Sequence, residues 1–180
     1  MTSISFCTAC GSPTQTVTPD GDTREREVCG TCGIVHYRNP KVVVGAIPVF
    51  DGKILLCKRA IEPRYGFWTL PAGFMELGET MAEGAARETW EEACARVSIE
   101  RLYAVIDVVQ AGQVHVFYTA TFNGEYAAGE ESLDVGLYAP EDIPWPEIAF
   151  PSGRFALECY IENGPDAVQT FLHKAERFRP

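Results

Sequence analysis

Residues 73–95, GFMELGETMAEGAARETWEEACA, decide how the rest of the chain is read. Thr80 and Glu83 have the spacing of a capping box, in which each side chain satisfies a free backbone N–H of the other, so a helix is expected over residues 80–96. On that helix Glu88, Glu91 and Glu92 are related by three and four positions and share a face. Ala86, Trp90, Ala93 and Val97 lie opposite and are expected to pack on a sheet. Carboxylates so close repel one another by a few tenths of a kcal/mol per pair. A solvated acidic face is one reading of them. The other is a set of oxygen donors for Mg²⁺ or Mn²⁺, which bind carboxylates and bridge to phosphates.

The flanking segments supply the sheet. VVVGAIPVF (42–50), Asp51-Gly52 and KILLC (53–57) read as two strands joined by a tight hairpin. The run FWTLPAGF (67–74) leads into the helix. RLYAVIDVV (101–109) and VHVFYTATF (114–122) read as strands separated by Ala111-Gly112, with another at SLDVGLY (132–138). After a proline-rich stretch, helices are expected near 152–162 and 166–177. The mixed order of elements predicts an α/β sandwich built on a mixed sheet.

Residues 1–36 are organised differently. They are poor in large apolar side chains and carry two C-x-x-C units, Cys7/Cys10 and Cys29/Cys32. Two such turns can close a tetrahedron around Zn²⁺, and a four-thiolate site has no open position for catalysis, so the expected role is structural. Gly11, Gly30 and Gly33 suit the turns; His36 is expected to be a non-ligand, the shell being complete. The domains read from this are a zinc ribbon over 1–36 and a second domain over 37–180. Whether the ribbon covers a site, mediates dimerisation or only stabilises the fold stays open.

Composition narrows the partners. The 180 residues carry 25 acidic against 15 basic side chains, a formal net charge of -10. That balance disfavours nucleic-acid backbones and anionic membranes, which are bound by Lys/Arg neutralisation of phosphate. Cys57, Cys94 and Cys159 stand singly in apolar stretches, which with the odd total of seven argues for a reducing compartment. No charged-then-apolar leader opens the chain, and no apolar run approaches a membrane span, so the expected location is the cytoplasm.

The quoted stretch resembles the Nudix box, G-x5-E-x7-R-E-U-x-E-E-x-G-U, where U is a bulky aliphatic residue. Gly73, Glu79, Arg87, Glu88, Glu91 and Glu92 match; Thr89, Cys94 and Ala95 depart, at positions that bear on packing and the helix end. The likeness extends over about 40–175, and with the ribbon in front the chain is similar to the zinc-ribbon branch that includes NADH pyrophosphatases. The resemblance implies a Nudix α/β/α sandwich that hydrolyses a nucleoside diphosphate linked to another group. By the same likeness Glu88, Glu91 and Glu92 hold Mg²⁺ or Mn²⁺, with the Gly73 or Ala72 carbonyl a further donor. Arg87 pairs with Glu79 to orient the helix and loop.

Glu88 is one candidate for the base; the resemblance also implies an acid from a later loop, where Glu130 and Glu131 both stand, and Glu131 is the preferred candidate. Arg59 and Arg64 are candidates for holding substrate phosphates, with Gly73 beside them. Tyr65, Trp68, Phe74 and Phe150 are candidate platforms for a base, each with core packing as the alternative. The SQPWPFPxS-like signature of NADH pyrophosphatases is absent, and Gln110 stands where many ADP-ribose hydrolases have proline. The expected substrates are ADP-ribose or FAD ahead of NADH, with AMP released, and a homodimer is a family-level expectation. Two other functions stay open: a catalytically silent ligand sensor, and an enzyme acting on RNA caps.

Overall fold

A computed structural model describes residues 3–167 and 171–174. Contacts divide the chain into two compact units, Met1–Pro40 and Lys41–Pro180.

The first unit is a three-stranded antiparallel sheet of β1 (Thr14–Val17), β2 (Arg26–Cys29) and β3 (Val35–His36). Its two cysteine turns are built alike. Gly11 N–H donates to the Cys7 carbonyl and Gly33 N–H to the Cys29 carbonyl, each at 2.9 Å. Both glycines lie at positive φ, +72° and +73°, a conformation that a Cβ penalises. The four sulfurs all fall within 4.8 Å of one another. His36 is buried nearby in sequence but is not part of that group.

The second unit is a sheet of order β10-β5-β4-β9-β8-β11. Its strands are β4 (Lys41–Phe50), β5 (Lys53–Arg59), β8 (Val97–Val108), β9 (Gln113–Phe122), β10 (Ser132–Tyr138) and β11 (Phe171–Lys174). The short β6 (Trp68–Thr69) and β7 (Ala72–Phe74) attach to β5 and β4. Pairing is antiparallel except β4 with β9 and β8 with β11, which makes the sheet mixed. The hairpin stands at Asp51-Gly52, and both residues have positive φ, as a two-residue turn that follows the strand twist requires. On β5 the side chains alternate between two cores: Ile54 and Leu56 join the larger, Leu55 and Cys57 the smaller. A strand buried on both faces reads as a continuous apolar run, which KILLC is.

Helix α1 (Met81–Ala93) covers one face and α2 (Pro151–Asn163) the other. The capping box is present, with Thr80 and Glu83 bonded reciprocally. Three expectations are corrected here. The first helix stops at Ala93, not 96, and its cap Cys94 lies at φ 49°, where the box has glycine. Its packed face is Gly84, Ala85, Thr89, Glu92 and Ala93; Trp90 is exposed, with the Arg96 guanidinium 4.4 Å over its ring. Small residues let the helix lie close against the sheet, and that outweighs the larger apolar area of Trp90. The helix expected at 166–177 is instead, over 171–174, a strand parallel to β8; the remainder of that stretch lies partly outside the described residues. Among the described residues, no helix is long and apolar enough to cross a membrane.

Candidate active site

A cavity of about 1120 Å³ opens against α1, and Gly73, Arg87, Glu88, Glu91, Glu92, Arg59, Arg64, Glu130 and Glu131 all line it. Its wall begins with β7, which pairs with β4 in the register Val43–Phe74, Val44–Gly73. A Cβ on Gly73 would fall 2.3 Å from a Glu88 carboxylate oxygen, so the absence of a side chain is what admits Glu88 to this wall.

Arg87 organises the acids. Its Nε and Nη2 donate to the two Glu79 oxygens at 2.9 and 2.8 Å, a bidentate fork. Nη2 also donates to the Phe74 carbonyl at 3.1 Å, tying α1 to β7. Nη1 reaches Glu88 at 2.7 Å and Glu91 at 2.9 Å. Glu79 closes its own loop by accepting from the Glu76 N–H at 2.8 Å. The Arg87 hydrogen bonds, chiefly, hold the Glu79 carboxyl down at about 2. Glu79 itself does not line the cavity; it acts through Arg87.

The three glutamates are not equivalent. Glu91 is largely exposed, with Arg87 one turn back. Glu88 is nearly buried and is pushed up first by desolvation, despite the hydrogen bond from Arg87. Glu92 is 6% exposed, accepts only the Ala72 N–H at 3.2 Å among its bonds to described residues, and is raised to about 8 by burial, with the charges of Glu88 and Glu131 adding to it. A shared helix face thus brings all three to one cavity, but in this arrangement Glu88 and Glu91 turn to Arg87 while Glu92 turns to β7.

The loop carrying Glu130 and Glu131 is held by the end of α1. Ala127 N–H donates to the Ala93 carbonyl at 2.9 Å and Gly129 N–H to the Glu92 carbonyl at 3.0 Å, satisfying carbonyls that a helix end leaves free. On its far side the Glu131 carbonyl accepts the Ala60 N–H at 2.8 Å. Arg59 is buried, donates from Nε to the Pro63 carbonyl at 2.9 Å, and stacks its guanidinium 5.0 Å over Phe150. Of the four aromatic candidates, Phe74 and Phe150 line the cavity, whereas Trp68 is in the core and Tyr65 is exposed elsewhere.

Sequence reasoning passed over a polar wall of the same cavity. Gln113 and His115 on β9 and Ser152 on α2 line it. The alternation Gln113, His115, Phe117 along β9 is the signal that these side chains share a face; nothing local links them to Ser152.

The fold and site together define a mixed-sheet α/β/α sandwich with an arginine-tied acidic helix on the wall of a large cavity. Comparison with known proteins makes the class specific: residues 39–156 match the NUDIX domain and residues 5–38 the Nudix N-terminal zinc ribbon, and the chain belongs to the Nudix family. It is similar to a NUDIX hydrolase from Nitrosomonas europaea of known crystal structure, with 45% identity, a TM-score of 0.91, and 97% of this chain and 100% of that one covered. An ADP-ribose pyrophosphatase from Methanocaldococcus jannaschii is 34% identical over 113 residues, 60% of this chain and 67% of that protein. The NAD-capped RNA hydrolase NudC from Vibrio atlanticus is 34% identical over 180 aligned positions, 93% of this chain and 60% of that protein. The chain thus spans about two thirds or less of these curated relatives.

Proposed function

We propose that the protein is a divalent-metal-dependent Nudix pyrophosphatase that hydrolyses a nucleoside diphosphate linked to another group, in the ADP-ribose, FAD or NADH class, and releases AMP. The observation that carries this reading is the acidic set Glu88, Glu91 and Glu92, brought by one helix to the wall of one large cavity and tied there by Arg87 and the Ala72 N–H.

The donor set fits a hard cation. Glu88, Glu91 and Glu92 offer only carboxylate oxygen, and burial disfavours the ionised forms of Glu88 and Glu92 until a positive charge compensates. Mg²⁺ or Mn²⁺, when bound, supplies charge neutralisation at the phosphates and lowers the pKa of the attacking water. In the proposed reaction water forms a bond to one phosphorus, the bridging P–O bond breaks, and the other phosphate leaves. Glu131, on the loop fixed to the end of α1, accepts the proton from water; Glu88 is the second candidate. Arg59 and Arg64, which line the same cavity, hold the phosphates, and Arg87 with Glu79 positions the acidic side chains. The first unit we read as a ribbon over 1–36 closed by Zn²⁺ on Cys7, Cys10, Cys29 and Cys32, ahead of the hydrolase domain over 37–180. Its donor set fits too: four sulfurs are gathered within 4.8 Å of one another, which is the all-thiolate shell that Zn²⁺ takes.

A second reading has a specific observation behind it. The NAD-capped RNA hydrolase aligns with nearly the whole chain, ribbon included, although the net charge of -10 weighs against a polynucleotide. One panel separates the two: ADP-ribose, FAD, NADH, diadenosine polyphosphates, nucleoside triphosphates and NAD-capped RNA, each with Mg²⁺ or Mn²⁺, for wild type and Glu92→Gln. AMP release from a dinucleotide-like compound, lost in Glu92→Gln, is the expected result. Turnover of the capped RNA alone would favour the second reading, and no turnover by folded protein would overturn both.

A further inference from the structure

His115 Nε2 lies 2.9 Å from the Gln113 Oε1, and His115 Nδ1 lies 2.9 Å from the Ser152 Oγ. The three side chains form one hydrogen-bonded chain from β9 to α2. Its proton positions follow from what each atom can do. An amide oxygen only accepts, so Nε2 carries the hydrogen; in a neutral ring Nδ1 then accepts, and the Ser152 hydroxyl must donate to it. The ring is indeed held neutral, because burial lowers its pKa to about 4. What the chain leaves on offer is therefore defined: the Gln113 amide N–H groups as donors and the Ser152 oxygen lone pairs as acceptors.

This wall differs in kind from the acidic one. His115 pairs with Val43 across β4 and β9, and Val43 pairs with Phe74 across β4 and β7, so the three stand in one row across the sheet. Two strand spacings place the His115 backbone about 10 Å from that of Phe74, next to the Gly73 that admits Glu88. Val108 and Phe150 add apolar surface. A neutral imidazole and a hydroxyl whose proton is already committed suit an anion poorly, whereas a ring with an adjoining donor and acceptor suits them well.

We propose that Gln113, His115 and Ser152 form the subsite for the hydrogen-bonding edge of a planar ring in the substrate, a nucleobase or a carboxamide-bearing ring, at the β9–α2 end of the cavity, across the sheet from the acidic end. It rests on the pyrophosphatase reading for the identity of the other end. The chain acts as a specificity device: β9 and α2 fix His115, and His115 fixes which atoms of Gln113 and Ser152 face the ligand.

The test is calorimetric binding of AMP, nicotinamide mononucleotide and ribose 5-phosphate to the intact, zinc-containing protein with Mg²⁺, alongside KM and kcat for the best substrate of the panel. The variants are Ser152→Ala and Gln113→Glu, which keeps an oxygen for Nε2 but loses the donor. Wild type should bind one of the two ring-bearing nucleotides at least tenfold more tightly than ribose 5-phosphate. AMP as the tighter ligand identifies a nucleobase, and nicotinamide mononucleotide a carboxamide. Each variant should lose about tenfold in that affinity, raise KM by a similar factor with kcat much less affected, and leave ribose 5-phosphate unchanged. Equal weakening of all three ligands, or of none, in variants with wild-type melting temperatures would overturn the subsite. Selective ring binding by a protein that hydrolyses nothing would instead overturn the pyrophosphatase reading and leave the subsite standing.

Discussion

Replacing Gly129 with alanine tests whether the loop bearing Glu131 works because the end of α1 positions it. The backbone of Gly129 is not in the left-handed region, so the demand on this residue is for space alone. An added Cβ would fall 1.8 Å from the Glu91 carbonyl oxygen and 2.9 Å from its carbon. Both are helix backbone, which cannot rotate aside. Ordinary non-bonded contact begins near ~3.4 Å, so the loop must retreat by about 1.5 Å. That movement breaks the bond from Gly129 N–H to the Glu92 carbonyl and strains the one from Ala127 N–H to the Ala93 carbonyl. Two such bonds are worth about 2 kcal/mol, which lowers the melting temperature by about 4–8 °C in a chain of this size. If Glu131 takes the proton from water, a displacement beyond an ångström costs on the order of a hundredfold in kcat. Glu131→Gln should match the loss of kcat without the loss of stability. Steady-state hydrolysis and thermal unfolding of both variants are the assays. A Gly129→Ala protein that melts early but turns over at the wild-type rate would refute the positioning argument, and a fully active Glu131→Gln would remove the base.

Glu92→Gln should abolish turnover yet stabilise the protein freed of Mg²⁺ and Mn²⁺ at high pH. A carboxyl raised to about 8 contributes stability that is fully present below its unfolded value near ~4.5 and is lost as pH rises through about 8; the amide escapes that loss, worth at most about 5 kcal/mol. Urea unfolding at pH 6 and pH 9 reads it, and equal stability of the two proteins at pH 9 would contradict the burial argument. His115 has the opposite sense: lowered to about 4, it contributes stability present above ~6.5 and lost as pH falls through about 4, up to about 3 kcal/mol. His115→Gln should flatten that acid limb, and a limb of unchanged slope would show that His115 is not the group responsible. Arg87→Lys cannot reproduce the fork on Glu79 together with the bonds to Glu88, Glu91 and Phe74. It should lower kcat or Mg²⁺ affinity by about 10–100-fold, measured by rates across a Mg²⁺ titration. Thiol modification should release about one Zn²⁺ per chain and unfold residues 1–36 while the NMR signals of the second unit persist; loss of both together would make the ribbon a support for the whole protein.

What could be read from the residues is what short-range geometry dictates. Asp51-Gly52 is a hairpin because two consecutive residues must take positive φ, and Thr80 with Glu83 start a helix because free N–H groups need acceptors within one turn. The paired cysteines mark their turns for the same local reason. The acidic face was equally visible, but its packing was not. A helical wheel ranks Trp90 above Gly84 and Ala85, whereas close approach to the sheet selects the small residues and carries Glu92 inward with them. That inward turn is what raises Glu92, so the feature a polarity count ranks as misplaced is the one that puts a buried carboxyl on the cavity wall. The same limit explains β11, whose pairing with β8 joins residues over sixty positions apart and leaves no periodicity to detect. It also explains the Ser152–His115 contact, across 37 positions, and the Gly129 contact with the end of α1. Cys94 shows where a departure from the family pattern becomes informative once the backbone is known. The box has glycine there because the helix ends in a left-handed residue, and Cys94 adopts that conformation at φ 49° with a Cβ present. Cys94→Gly should therefore stabilise the protein by relieving the strain of a side chain at positive φ, offset in part by the greater freedom of glycine when unfolded. A net gain of about 1 kcal/mol with kcat unchanged is the expected outcome of urea unfolding and steady-state assays; a loss of stability would mean that the packing of the Cys94 side chain outweighs the strain at the end of the acidic helix.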